Sequence, residues 1–92
     1  MDPQTAVEAP RFASESWPAS ARPHTYHPAR LKVERTLGDA TGEKLAAMGH
    51  DIQWWPEREW RAGSVCTIVA DERTRILHAG ADPRRTAYAI GW

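Results

Sequence analysis

Residues 82–92, which read DPRRTAYAIGW, carry more information about the architecture of this chain than any other segment. Asp82 can accept hydrogen bonds from the backbone N–H groups of a turn that Pro83 opens. Arg84 or Arg85 can pair bidentately with a carboxylate and hold the tail in place. We therefore predict a structural role for these four residues. The alternative is that Arg84 or Arg85 orients a substrate carboxylate.

Upstream of this tail the sequence predicts a β-hairpin. Residues 65–70 form a β-branched apolar run, residues 71–74 read DERT, a polar turn, and residues 75–79 form a second strand. Two earlier segments, residues 31–35 and 51–55, alternate apolar and polar side chains and predict half-buried strands.

A helix is predicted between those two strands, over residues 39–48. Thr41, Leu45 and Met48 fall on one face at helical spacing. Gly49 suits the position just beyond a helix end, because glycine adopts the left-handed conformation that terminates many helices.

The N-terminal third contains a short helix and a long irregular segment. Residues 1–10 favour about two helical turns, capped by Asp2 and ended by Pro10. Residues 11–29 are rich in proline and serine and exceed the roughly 12–15 residues of an ordinary loop. Three aromatic residues in this segment favour contact with a surface outside the chain over a disordered linker; they are Phe12, Trp17 and Tyr26.

These elements predict an α+β fold class with short helices and three to four antiparallel strands. Residues 1–92 would form one small domain or a fragment, with a helix over 1–10 and an irregular segment over 11–29. The remainder, 30–92, would be a strand–helix–strand unit followed by the hairpin and its tail. A chain of this size buries too little surface to be more than marginally stable alone.

Composition excludes several function classes. Twelve basic and twelve acidic residues cancel, so no positive charge excess favours a nucleic-acid partner. No stretch approaches the roughly 20 apolar residues of a membrane helix, and no signal peptide is recognisable, which leaves the localisation open. The single cysteine, Cys66, excludes an internal disulfide, and its strand-like surroundings predict a buried, inert thiol.

Two groups of side chains could carry binding chemistry. His24 and His27 form an H-x-x-H pattern, but a metal site needs three or four ligands, so a structural or exposed role is favoured and no metal is predicted. Trp54, Trp55 and Trp60 could stack on a sugar or a proline-rich peptide. We favour core positions or the footprint of a partner surface.

Several blocks of the sequence resemble the γ-glutamyltranspeptidase family, in the family's order and roughly its spacing. They are DPQ at 2–4, AVEAPRF at 6–12, a strand ending in Glu34, LAAMGH at 45–50 with Gly49 and His50, the small residues 79–81, and the tail at 82–92. Two positions depart from the family pattern: Ala87 replaces the usual glycine and Trp92 the more usual tyrosine.

This resemblance implies that the chain is the C-terminal part of the small, catalytic subunit of an N-terminal-nucleophile hydrolase with a four-layer αββα sandwich. The parent reaction would be transfer or hydrolysis of a γ-glutamyl group, from glutathione or a similar amide, through an acyl-enzyme on an N-terminal threonine, without a cofactor. The partners would be the upstream segments of the small and large subunits. Bacterial family members are usually periplasmic or secreted.

The resemblance also implies that this chain is inactive alone. None of its seven threonines stands in the T-T-H context that opens the family's small subunit, and we assign no catalytic residue. One alternative is a free-standing interaction module with an aromatic surface. Another is a small hydrolase that uses His50 or Cys66, but no partner that would orient either side chain is identifiable.

Overall fold

The computed structural model describes residues 1–91, which contain two short α-helices and five β-strands. In chain order they are α1 (Pro3–Glu8), β1 (Phe12–Ser14), β2 (Arg30–Glu34), α2 (Asp39–Ala47), β3 (Asp51–Trp55), β4 (Cys66–Asp71) and β5 (Ile76–Ala81). The predicted α+β class is confirmed. Trp92 lies outside the described residues.

The strands differ from the prediction in number and in one orientation. Five strands replace the expected three to four, because β1 lies inside the segment predicted to be irregular and pairs antiparallel with β2. The pair β2–β3 is parallel, whereas antiparallel strands were predicted. Parallel neighbours need a long crossover connection, and α2 supplies it.

One of the two compact units into which the chain divides consists of residues 10–59. Its sheet has the order β1-β2-β3, and Val33 is completely buried in the central strand. Phe12, Val33 and Trp54 lie opposite one another in the register and so share one face of the sheet. Gly42 of α2 packs on that face, where an added Cβ atom would lie 2.4 Å from the Trp54 ring.

The other unit is formed by residues 1–9 and the residues from 60 onward. Its strands β4 and β5 form the predicted antiparallel hairpin, with Val69 opposite His78. Helix α1 packs on β5 so closely that a Cβ atom at Gly80 would lie 2.7 Å from the carbonyl group of Pro3. Val7 is the buried apolar residue of α1.

Two predictions about single side chains were tested by burial. Cys66 was expected to be buried, but it is exposed, because it begins β4 in a two-stranded hairpin that covers little surface. Trp54 and Trp55 are successive residues of β3 and therefore point to opposite faces. Trp55 is buried and Trp54 is half-buried, so this pair belongs to the packed interior of its unit.

Buried polar side chains are unusually prominent in residues 1–91. The buried apolar residues are Val7, Val33 and Trp55, while the buried charged residues are Glu34, Glu59, Asp82 and Arg84. Such charges are tolerated only where they are paired and hydrogen-bonded. The contacts of these charged residues therefore locate the sites that organise each unit.

No helix within residues 1–91 combines the length and the hydropathy required to cross a bilayer.

Candidate functional site

Asp82 is the centre of the tail and is completely buried. Its Oδ1 atom accepts a hydrogen bond from the backbone N–H of Arg84 at 3.1 Å, which closes the turn that Pro83 begins. Its Oδ2 atom accepts the backbone N–H of Val65 at 3.0 Å. The carboxylate thus joins the tail to the residue that precedes β4.

Arg84 is the arginine that the fold buries, with 5% of its surface exposed. Its Nη1 atom donates to Asp82 Oδ1 at 3.1 Å and to the carbonyl oxygen of Val7 at 2.9 Å. Its Nη2 atom donates to the carbonyl oxygen of Ala9 at 2.9 Å. These carbonyl groups lie at the C-terminal end of α1, where helix carbonyls lack partners and a positive charge is favourable.

Arg85 has a different environment from Arg84, because it is exposed. Its Nε atom donates to the carbonyl oxygen of Trp60 at 3.1 Å, and its guanidinium lies 5.6 Å from the centre of the Trp60 ring. Since this contact is open to solvent, it contributes less than a desolvated one. The two arginines that were equivalent candidates in the sequence are therefore distinguished by burial.

Two residues that no sequence pattern singled out complete this cluster. The side-chain amide of Gln4 donates to the carbonyl oxygen of Ala81 at 3.0 Å and accepts the Ala81 N–H at 3.1 Å. Gly80 lets α1 approach β5 closely enough for this exchange. Their signals were present, since both residues lie in the blocks that resemble the family, DPQ and the small residues before DPRR.

Glu34 organises the unit of residues 10–59 in a similar way. It ends β2 and is completely buried. Its Oε2 atom accepts the backbone N–H of Arg11, and its Oε1 atom accepts the backbone N–H of Glu59, each at 2.9 Å. The Glu34 carboxylate thus holds both ends of this unit. Arg84 belongs to the other unit, where it forms an ion pair with Asp82.

Gly49 and His50 end α2 in a Schellman motif. The N–H of Gly49 donates to the carbonyl of Ala46 at 3.0 Å, and the N–H of His50 donates to the carbonyl of Leu45 at 3.2 Å. Gly49 has a φ of 101°, a conformation that favours glycine. His50 and Leu45 also line the same surface groove.

The other candidate sites are not assembled into a cluster. His24 places Nδ1 2.8 Å from the carbonyl oxygen of Ala19. Within residues 1–91 no group of three or more histidine, cysteine, aspartate or glutamate side chains is placed to hold a metal ion. Trp60 is exposed, and the Arg85 guanidinium lies over its ring.

Electrostatic effects at surface carboxylates are local and structural. Hydrogen bonds from the Thr5 hydroxyl and backbone N–H hold the pKa of Asp2 below its ordinary value, as expected for a helix N-cap. Hydrogen bonds from the Thr74 side chain and from the N–H groups of Thr74 and Arg73 likewise lower the pKa of Asp71 in the hairpin turn. Both carboxylates are ionised near neutral pH; Asp2 stabilises the start of α1 and Asp71 stabilises the hairpin turn.

Comparison with known proteins places this geometry in a family. A family model described as gamma-glutamyltranspeptidase matches residues 1–92. The solved structures LmbA2991T421A and LmbA2991HD are each 32% identical to this chain with a TM-score of 0.84, and the match covers 96% of this chain and 15% of theirs. No curated protein matches the chain.

A third solved structure, the cephalosporin acylase from Bacillus halodurans, is 26% identical with a TM-score of 0.79. The match covers 100% of this chain and 15% of the acylase. These neighbours are N-terminal-nucleophile-hydrolase-like structures, which confirms both the predicted fold class and the family resemblance. The chain thus spans about 15% of the length of each of these solved structures.

Proposed function

Because this chain belongs to the γ-glutamyltranspeptidase family, we propose that it is the C-terminal structural segment of a γ-glutamyltranspeptidase-like protein. The most direct support is that the alignment spans 100% of this chain but only 15% of the acylase. A piece of that proportion is expected to complete a larger fold. Its partners would be the upstream segments of the small and large subunits.

The parent reaction that we propose is transfer or hydrolysis of a γ-glutamyl group of glutathione or a similar amide. It proceeds through an acyl-enzyme on an N-terminal threonine, whose own α-amine acts as the general base, and requires no cofactor. The match to a cephalosporin acylase favours a second candidate for the parent, hydrolysis of another amide by the same acyl-enzyme chemistry.

The role of this segment in either reaction would be support. Asp82 and Arg84 are buried, and the contacts described above join them to backbone groups of their own unit. A residue that orients a substrate carboxylate would instead present donors to an open cleft. We therefore favour the structural role for Asp82 and Arg84.

The alternative of a free-standing aromatic module finds less support in the side chains. Trp55 is buried and Trp54 packs against Gly42 of its own unit. Two of the three tryptophans that suggested a binding surface are therefore used internally.

A direct activity assay tests the proposed role. The purified 92-residue chain should release no chromophore from a γ-glutamyl anilide above the rate in buffer. Turnover that disappears when any single threonine is replaced would contradict the proposal, because the chain would then contain its own nucleophile. A preparation of an intact γ-glutamyltranspeptidase serves as the positive control.

A further inference from the structure

An open apolar groove lies beside α2 in the unit of residues 10–59. It has a volume of about 360 Å³ and is lined by Phe12, Leu31, Val33, Leu37, Thr41, Leu45 and His50. Phe12, in the floor of the groove, is 68% exposed. A large apolar side chain with so much free surface, next to other apolar residues, is typical of a site that another element covers.

The position of α2 explains why the groove is open. Gly42 places the helix over Trp54 of β3, which is one edge of the sheet. The same face of the sheet continues to Val33 of β2, which is completely buried, and to Phe12 of β1, which is largely exposed. The apolar face is therefore left open at β1, beside the groove wall that α2 contributes.

We propose that this groove is the docking site of a second, amphipathic helix, supplied by the part of the larger fold that lies outside these 92 residues. The inference rests on the proposed function, since it assigns a surface through which the segment joins its parent. Two geometric arguments favour a helix as the occupant.

The spacing of the strands leaves room for a helix. Strand β1 lies two strands away from β3, a distance of about 9–10 Å at the usual separation of neighbouring strands. Packed helices lie about 8–10 Å apart, axis to axis. A helix placed over β1 would therefore pack beside α2 and cover the exposed part of the sheet face.

The orientation of α2 also favours a helix as the occupant. Thr41 and Leu45, four residues apart, form the wall of the groove that α2 contributes. A helix normally buries such a stripe, but here the stripe faces sideways, across the sheet. A neighbouring helix would bury Leu45 and the floor of the groove together.

A small-molecule ligand fits the groove less well. Ligand sites enclose most of the ligand and hold it with a few convergent polar groups. The polar side chains among the lining residues are Thr41 and His50, and no charged side chain lines the groove. The matched structures are several times longer than this chain, so there is ample polypeptide to supply a helix.

The test is a chimera in which this chain replaces the matched 15% of LmbA2991HD. Cys66→Ser removes the native thiol, and Thr41→Cys places a probe in the groove wall. By the helical period Ala47 lies on a side of α2 that faces away from both the groove and the sheet, so Ala47→Cys is the matched control. The maleimide labelling rate is measured for each thiol in the isolated chain and in the folded chimera.

We expect both thiols to react readily in the isolated chain. In the chimera the labelling rate of the Thr41→Cys thiol should fall at least about tenfold, while the Ala47→Cys thiol keeps its rate. A benzophenone maleimide attached at Thr41→Cys should then cross-link, in the chimera, to residues spaced three or four apart, the period of a helix.

The possible outcomes separate the two proposals. A chimera that does not fold contradicts the proposed function, and this inference with it. A folded chimera in which the Thr41→Cys thiol keeps its full rate overturns the inference alone. Cross-links at a spacing of two residues would identify a strand, and cross-links between two copies of the isolated chain would identify self-association; either result also overturns it.

Discussion

The Asp82–Arg84 pair ties together three segments of one unit: the end of α1, the residue before β4 and the tail. The Arg84 guanidinium donates to two carbonyl groups and to one carboxylate oxygen of Asp82. The second carboxylate oxygen of Asp82 accepts the Val65 N–H. Such a pair need not contribute more to stability than apolar residues of similar volume would. Removing one member, however, breaks this ion pair and leaves the other charge buried.

We therefore expect the two arginines of the tail to differ sharply. Arg84→Ala should lower the free energy of unfolding by about 3–5 kcal/mol, the usual cost of breaking a buried ion pair. Arg85→Ala should stay within about 1 kcal/mol of the parent chain, because its contacts are exposed. Urea midpoints of the three proteins measure the difference.

Asp82→Ala should match Arg84→Ala in this series, since it breaks the same pair and also frees the Val65 N–H. Equal midpoints for Arg84→Ala and Arg85→Ala would show that the burial of Arg84 has no energetic consequence, contrary to our expectation.

Gly80 offers a test of the close approach between α1 and β5. In Gly80→Ala the added methyl group would meet the backbone of Pro3 at 2.7 Å, so the helix must shift. Overpacking of this kind costs about 1–3 kcal/mol. Gly91→Ala is the matched control, because nothing lies within 4 Å of its Cβ position. Thermal melts that place both variants at the same temperature would exclude the contact.

At the scale of single elements, α2 owes its end to local sequence and its position to packing. Gly49 provides the left-handed residue of the Schellman motif, and Gly42 provides the flat surface against Trp54. Gly49→Ala should therefore cost about 1 kcal/mol, the penalty for placing a Cβ atom in a left-handed conformation. Circular dichroism during urea unfolding would measure it. Unchanged stability would indicate that the end of α2 unwinds freely.

The hairpin β4–β5 should lose support in acid. The folded pKa of Asp71 is lower than its ordinary value of 3.8, because the hydrogen bonds of the turn favour the carboxylate. The stability that the ionised Asp71 carboxylate contributes is therefore fully present above its ordinary pKa and is lost as the pH falls through its folded pKa. The stability difference between the parent chain and Asp71→Asn should be constant from neutral pH to about pH 5 and should shrink below pH 4.

The stability of both proteins as a function of pH, followed by urea unfolding, tests this expectation. A difference between the parent chain and Asp71→Asn that grows as the pH falls would reverse the sign and contradict it. Asp39→Asn, at an exposed position of α2, is a suitable control for general charge effects.

At the scale of the whole molecule, the surface exposes many large apolar side chains. Trp17 is 80% exposed, Met48 is 76% exposed and Ile68 is 70% exposed. For a free-standing domain this is an unusual amount of uncovered apolar surface. It is the distribution expected of a segment that is completed by a larger fold.

The long segment between β1 and β2 should exchange its amide hydrogens rapidly in the isolated chain. Residues 16–29 are all exposed and form few backbone hydrogen bonds, whereas Val33 in β2 is buried. Hydrogen exchange followed by mass spectrometry should show weak protection at 16–29 and strong protection at 30–34. Equal protection of the two segments would mean that residues 16–29 already have their partner surface within this chain.

The sequence by itself determined the features that depend on neighbouring residues. The period of alternation located β3 at residues 51–55, the spacing of Thr41 and Leu45 located α2, and the polar turn located the hairpin. The tail motif and the blocks upstream of it occur in the order typical of the family, and together they identified the family. The structural role predicted for Asp82, Pro83 and the two arginines rested on capping and turn chemistry, which is local.

Only the tertiary structure decided the features that depend on distant residues. It selected Arg84 over Arg85, paired β2 with β3 in parallel, and exposed Cys66. The contacts of Arg84 with Val7 and of Gln4 with Ala81 each join residues 77 positions apart. No local period encodes such a pairing, because it depends on how α1 and the hairpin pack once both have formed.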